Sequence, residues 1–162
     1  MKKNNGFWKA VFLSMLLVLF IAIQDVAGYF MFQKVGGFSG NTYQKLSTHY
    51  LQQFWRFSYT IIIIVGIVYY LLKNDLSESL AVIIPGITFL LFGLEDLLYY
   101  IIGGFPMTIH TRLQWLDSQT IMGGLAKVLG LPGVTIGSII IGLIIAVIIT
   151  AKTVTYLEKQ PW

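Results

Sequence analysis

Three carboxylates lie inside apolar runs of this sequence, where a lipid bilayer would reject them. Asp25 follows "MLLVLFIAIQ", and Glu95 and Asp96 stand side by side in "LFGLEDLLYYIIGG". An acid at the centre of a membrane helix costs about 2.5 to 3.5 kcal/mol, whereas each Leu, Ile, Val or Phe returns only about 0.3 to 0.6 kcal/mol. Such acids are therefore expected to be protonated, paired or sheltered by protein, and they mark the first place to look for a binding site.

Helical geometry separates the two neighbouring acids, because the run that contains them is predicted to be one helix. Successive side chains then point about 100° apart. Glu95 shares a face with Thr88 and Tyr99, which can hydrogen-bond it, while Asp96 falls on a seam of small residues that includes Gly86. Helical rise places Asp25 and Glu95 in the outer half of the membrane. This pattern predicts that Glu95 meets a ligand and that Asp96 is tied into packing or an ion pair.

Arg56 is the natural counter-ion, because it lies near the start of the second apolar run and its long side chain can reach inward. We expect Arg56 and the three acids to converge between helices, below His49, His110, Arg112 and Asp117. The candidate ligand-binding or proton-binding residues are Asp25, Arg56, Glu95, Asp96, Tyr99, His110 and Arg112.

Several chemistries are open to such a site. Carboxylate oxygens suit hard cations, but no histidine pair has HxxxH or HExxH spacing, so no metal ligand and no cofactor is predicted. Paired acids can also perform acid–base chemistry on an outer-leaflet lipid or isoprenoid phosphate, with Arg56 and Arg112 as anion clamps. No Walker loop or GxSxG motif is present, so no catalytic residue is assigned and an enzyme is disfavoured.

The favoured interpretation is a protein that binds an ion, a proton or a polar lipid head group within the membrane. An accessory subunit of a larger membrane complex is the other alternative, and the acids would then be buried polar pairs that fix helix register.

Composition sets the class of protein. Of the 162 residues 56% are hydrophobic and 11% are charged, and the mean hydropathy is +0.76, whereas soluble domains carry about 25% charged residues. The chain has no cysteine, which excludes disulfides, thiolate chemistry and cysteine-ligated metals. Its net charge of +4 forms no basic stripe, so we expect membrane lipids as partners and no nucleic acid.

Four apolar runs are long enough to cross a bilayer, since a span needs about 20 residues. The runs are continuous and lack the alternation of barrel strands, which indicates helices. The sequence therefore predicts an all-α integral membrane protein, a four-helix transmembrane bundle forming a single domain over 1–162. In the outer loop between helices three and four, apolar residues near a helical stripe predict an interfacial helix interrupted at Gly123 and Gly124. That stripe comprises Ile109, Leu113, Leu116, Leu125 and Val128. The predicted spans are about 8–32, 53–72, 79–103 and 134–156.

The sequence also predicts how the chain is oriented in the membrane and which residues lie at helix contacts. Lysines at the start of the first helix favour the cytoplasmic (plasma) membrane with both termini in the cytoplasm. The first run is expected to be a retained helix, because Asp25 would occupy the −3 position of any signal cleavage after Ala27. Helix four carries small residues at a spacing that permits close helix contact, in a homo-oligomer, with another membrane subunit or within the monomer. They are Gly133, Gly137, Ser138 and Gly142.

Overall fold

The computed structural model of the chain describes residues 4–34 and 41–160, with side chains from 6 to 31 and from 53 to 160. It is all-helical, with 80% of residues in helices and no strand in the described ranges. The helices are α1 (Asn4–Lys34), α2 (Asn41–Lys73), α3 (Leu76–Leu91), α4 (Leu94–Gly103), α5 (Thr120–Val128) and α6 (Ile136–Leu157), with a 3-10 turn at Gln114–Leu116.

Three of these helices are long and apolar enough to cross a membrane. Their spanning parts are Gly6–Met31 in α1, Gln53–Lys73 in α2 and Ile136–Leu157 in α6. Helix α2 begins at Asn41, well before the predicted start of the second span at about residue 53. A fourth span exists if α3 and α4 are taken together, although the two helices are bent by 69° at the break between them.

That break corrects the prediction of one continuous helix over 79–103. Helix α3 ends at Leu91, and Gly93 then adopts a left-handed conformation with φ of 78°. Glycine tolerates this conformation without the steric penalty that other residues incur. The rotation and depth inferred for Glu95 and Asp96 from a straight helix are therefore wrong, because the chain changes direction just before them.

The described helices pack around α3. Helix α1 lies against α3 and α4, while α2 and α6 lie against α3. One close approach is at Gly86, where an added Cβ would lie 3.0 Å from Ile62 Cγ2 and 3.1 Å from Ser14 Oγ. Small residues allow membrane helices to meet at such distances. The predicted seam at Gly86 exists, but it joins α3 to α1 and α2 and has no part in positioning Asp96.

The segment between α4 and α6, residues 104–135, folds back onto the start of α6, and we call it the cap segment. Backbone hydrogen bonds join Leu113 N to Val134 O at 2.9 Å and Ile136 N to Thr111 O at 3.0 Å. The capping hydroxyl of Thr135 accepts from Ser138 N at 3.2 Å and begins α6. These hydrogen bonds therefore hold the cap segment against the start of α6.

The predicted interfacial helix is only partly right. A helix is present, α5, but it runs through Gly123 without interruption. The predicted stripe is split, because Leu113 and Leu116 are fully buried, whereas Ile109 and Val128 are 60% and 84% exposed. Only the last part of the segment is helical, since the chain between α4 and α5 turns repeatedly to reach back to α6.

The small residues at the start of α6 pack within the chain. Gly137 N donates to Ile109 O at 2.9 Å, and an added Cβ at Gly142 would lie 3.0 Å from Phe92. Gly133 is buried next to Arg112, and Ser138 is 1% exposed. This geometry favours the monomer alternative for these residues over a contact between two chains.

Large apolar side chains cover the outside of the bundle. They are exposed along the three long helices, for example at Phe12, Phe20, Ile64, Ile67, Ile144 and Val147. Soluble monomers rarely expose continuous apolar faces of this extent. The fold is thus consistent with a membrane protein whose outer surface contacts lipid tails.

Candidate functional site

The break before α4 explains why two acids occur in an apolar run. Glu95 and Asp96 form the first turn of α4, where unpaired backbone N–H groups and the helix dipole favour negative charge. Both side chains are buried, with 5% and 7% of their surface exposed. The acids therefore belong to a helix start that is enclosed by protein.

Helix α1 brings the third acid to the same place. Because α1 packs against α4, the Asp25 and Glu95 carboxyl groups lie within hydrogen-bonding reach of each other. An ionised carboxylate only accepts hydrogen bonds, so a bond between two carboxyl groups requires a proton on one of them. The pair is thus a place where a proton can be held.

Asp96 makes a different contact. Its Oδ1 accepts a hydrogen bond of 2.8 Å from Trp115 Nε1, which belongs to the cap segment. The Trp115 indole also stacks on Tyr100, with ring centroids 6.3 Å apart and planes inclined by 11°. Trp115 was not among the predicted site residues, because the cap segment returns to α4 through turns that have no helical periodicity.

The expected counter-ion is absent from the cluster. Arg56 is exposed, and among the described side chains the ion pair present is Arg112 with Asp117, at 2.8 Å. Arg112 also donates to Pro132 O at 3.1 Å. The prediction that Arg56 neutralises one of the acids is therefore wrong, and the anion clamp of Arg56 and Arg112 is not assembled over them.

Asp117 links two parts of the cap segment through hydrogen bonds. Its carboxylate accepts from Val134 N at 2.6 Å and from Arg112. The Val134 N–H, followed by Arg112, lowers the pKa of Asp117 below its ordinary value. His110 is exposed on the same segment, and the His49 side chain lies outside the described side chains.

A small cavity lies beside Glu95 and Asp96, with room for about one water molecule. Most of its lining comes from α2 and from the two acids. The lining residues are Trp55, Ser58, Tyr59, Leu90, Glu95, Asp96 and Gln119. Ser58 and Tyr59 were not predicted as site residues, although both follow Arg56 by half a turn to one turn of α2.

Glu95, which lines this cavity, has one buried oxygen, Oε1, to which no described N–H or O–H group donates. The expected donor, Thr88, instead donates its hydroxyl to Ile84 O in its own helix at 2.7 Å. A buried carboxylate oxygen without a partner is costly, and it is the place where a water or a ligand gains most by binding.

Aromatic rings form a layer one helical turn beyond the acids. Each acid has a tyrosine four residues later on its own helix, namely Tyr29, Tyr99 and Tyr100. Phe105 joins these rings, with its centroid 5.0 Å from that of Tyr99 and 5.2 Å from that of Tyr29. Tyr99, a predicted ligand residue, thus belongs to the ring layer.

Metal ligation is not indicated by the described part of the chain. No group of three or more His, Cys, Asp or Glu side chains there is arranged to hold a metal ion. Compared with protein-family models, with curated proteins and with solved structures, the chain gives no match. What the cluster does must therefore be inferred from its own geometry.

Proposed function

We propose that this chain is an integral membrane protein that binds a proton or a small monovalent cation at the buried carboxyl cluster of Asp25, Glu95 and Asp96. The observation that carries the proposal is Glu95, which is 5% exposed, contacts a second carboxyl group and keeps Oε1 without a partner.

Charge balance supports a positive ligand. Three carboxyl groups lie together, and no described basic side chain forms an ion pair with any of them. Buried charges must be paired or neutralised, because their desolvation costs several kcal/mol per ion in real proteins. Protons or a bound cation supply the neutralisation, whereas a phosphate group would add to the repulsion. The enzyme alternative, which needs an anion clamp, is correspondingly weaker.

The broken helix supports an ion site within the membrane. Non-helical backbone at membrane depth is tolerated where protein encloses it or where it lines a cavity. Discontinuous helices are also where carriers place their ion sites. Here the break at Gly93 delivers Glu95 and Asp96 to the cavity.

The start of α1 and the end of α6 lie at the same end of the bundle, opposite the cap segment. Phe7 of α1 and Leu157 of α6 belong to one buried cluster with Ala81 of α3. We infer a cytoplasmic-membrane protein with both termini inside, in which the acids open toward the outer leaflet. Lipids surround it, and any self-association uses the exposed apolar faces.

Ion flux tests the proposal. The full chain in liposomes, under an imposed pH or cation gradient, should dissipate the gradient, and Glu95→Gln should slow this at least about tenfold, as expected when one charged partner is lost. Glu158→Gln is the matched control, because Glu158 Oε1 is also buried without a partner but lies at the other end of α6. Flux that Glu95→Gln leaves unchanged would contradict the proposal.

A further inference from the structure

The cavity beside Glu95 is lined by hydrogen-bond acceptors. Glu95 Oε1 has no donor, and Asp96 is a second carboxylate. The Ser58 hydroxyl already donates to Phe54 O at 2.8 Å, so its oxygen can only accept from the cavity. Tyr59 and Gln119 each add an oxygen that can accept and an O–H or N–H that can donate. A positively charged occupant that donates hydrogen bonds therefore finds acceptors at Ser58 and at the two carboxyl groups.

Size restricts the occupant further. The space holds about one water molecule, which excludes a hydrated cation and a bulky organic one. Divalent metal ions need several oxygen ligands, and no three His, Cys, Asp or Glu side chains of the described residues are arranged to hold such an ion. An ammonium group matches the space and needs one acceptor for each N–H.

The apolar lining also suits ammonium. Trp55 and Tyr59 lie four residues apart on α2 and both line the cavity. Ring faces attract cations, with tryptophan the strongest, and desolvated nitrogen cations are the ligands that aromatic sites commonly hold. Trp55 and Tyr59 thus add to the lining two aromatic side chains of the kind that binds nitrogen cations.

We propose that this cavity binds ammonium, either as free NH4+ or as the –NH3+ end of an amine. Glu95 Oε1 and Asp96 neutralise the charge, Ser58 Oγ accepts an N–H, and Trp55 and Tyr59 contact the cation. This inference rests on the proposed function and names its ligand.

Titration calorimetry of the full chain in phosphatidylcholine nanodiscs tests the proposal, since that lipid head group offers no N–H. The chlorides of ammonium, ethylammonium, sodium, potassium and tetramethylammonium are compared at one ionic strength. Ammonium should bind at least about tenfold more tightly than sodium, potassium and tetramethylammonium, a factor that corresponds to one hydrogen bond to a charged group. Weaker binding of ethylammonium would assign the free ion, and equal binding would assign an amine end.

Ser58→Ala separates hydrogen bonding from charge. It removes one acceptor without changing the charge of the site, so ammonium should bind about tenfold more weakly. Thr60→Ala is the matched control, because Thr60 also donates to the carbonyl four residues earlier, Arg56 O at 2.7 Å, but is exposed. Ammonium binding that Ser58→Ala leaves unchanged would overturn the proposal.

The outcomes also distinguish this inference from the proposed function. Sodium or potassium binding as tightly as ammonium, and lost in Glu95→Gln, would overturn the ammonium assignment while supporting a cation site. Tetramethylammonium binding as tightly as ammonium would likewise overturn it. No binding of any cation, together with flux that ignores Glu95→Gln, would overturn both.

Discussion

The carboxyl groups of Asp25 in α1 and Glu95 in α4 lie within hydrogen-bonding reach of each other. The contact joins two helices that are far apart in the chain, at the point where α4 begins. Two ionised carboxylates would repel each other there, and the proposed function therefore places a proton between them. Exchange of a proton at this contact for another cation is the basis of the proposed function.

The cap segment should depend on the hydrogen bond between Trp115 and Asp96. Trp115→Phe keeps a ring against Tyr100 but leaves the buried Asp96 Oδ1 without its donor at 2.8 Å. An acceptor left unsatisfied costs about 1 to 3 kcal/mol, and thermal unfolding in detergent should show a loss in that range. Trp8→Phe, at a site that is 56% exposed, should change stability by less than about 0.5 kcal/mol. Equal losses in the two variants would count against the contact.

The packing at Gly86 should not tolerate a methyl group. In Gly86→Ala the new Cβ would meet Ile62 and Ser14 at 3.0 Å and 3.1 Å, and overpacking of this kind costs about 1 to 3 kcal/mol. Gly124→Ala, in α5, meets no atom within 4 Å and should stabilise by up to about 1 kcal/mol through helix propensity. Unfolding in denaturant measures both, and a neutral Gly86→Ala would refute the close approach.

The left-handed residue at the helix break should resist substitution. Alanine in this conformation costs about 1 to 2 kcal/mol. Gly93→Ala, with φ of 78°, would also press on Ile139 at 3.2 Å, whereas Gly104→Ala, with φ of 65°, meets nothing within 4 Å. Both variants should lose stability, Gly93→Ala the more. A stabilised Gly93→Ala would mean that α3 and α4 are continuous.

Acid should loosen the cap segment through Asp117. Its pKa is lower in the folded chain than the ordinary 3.8, so its stabilisation is complete above pH 3.8 and is lost as the pH falls through the lower folded value. Trp115 fluorescence, in a chain with the other three tryptophans replaced by Phe, should report this acid transition. Asp117→Asn should remove it, and an unchanged transition in that variant would assign it to another group.

The long spans were predictable because each is a continuous apolar run that a helix must bury or expose to lipid. The predicted span 134–156 matches Ile136–Leu157, and 53–72 matches Gln53–Lys73. The cap at Asp75 was also predictable, because its short side chain precedes α3 and accepts from Glu78 N at 3.0 Å.

The break in the third run was missed, although its signal is present. Gly93 follows a long apolar run and precedes two acids, which is typical of a helix end followed by a helix start. The uninterrupted apolar run favoured one long helix instead. The side-chain directions predicted for Glu95 and Asp96 were wrong as a result.

The acids could be named from sequence, because each costs energy in an apolar run, but their partners could not. Trp115 reaches Asp96 through a cap segment without helical period, and Ser58 and Tyr59 reach the cavity through the packing of α2 on α3. Tertiary contacts of this kind leave no local pattern. Arg56 was predicted to pair with the acids because it carries a positive charge on a long side chain, yet it is exposed.

The proton shared by Asp25 and Glu95 is the central claim, and infrared difference spectroscopy tests it most directly. At neutral pH the wild-type chain should show the C=O stretch of a protonated carboxyl group. The band should be lost in both Asp25→Asn and Glu95→Gln and should persist in Glu158→Gln. A wild-type spectrum without that band, or a band that survives both substitutions, would contradict the account.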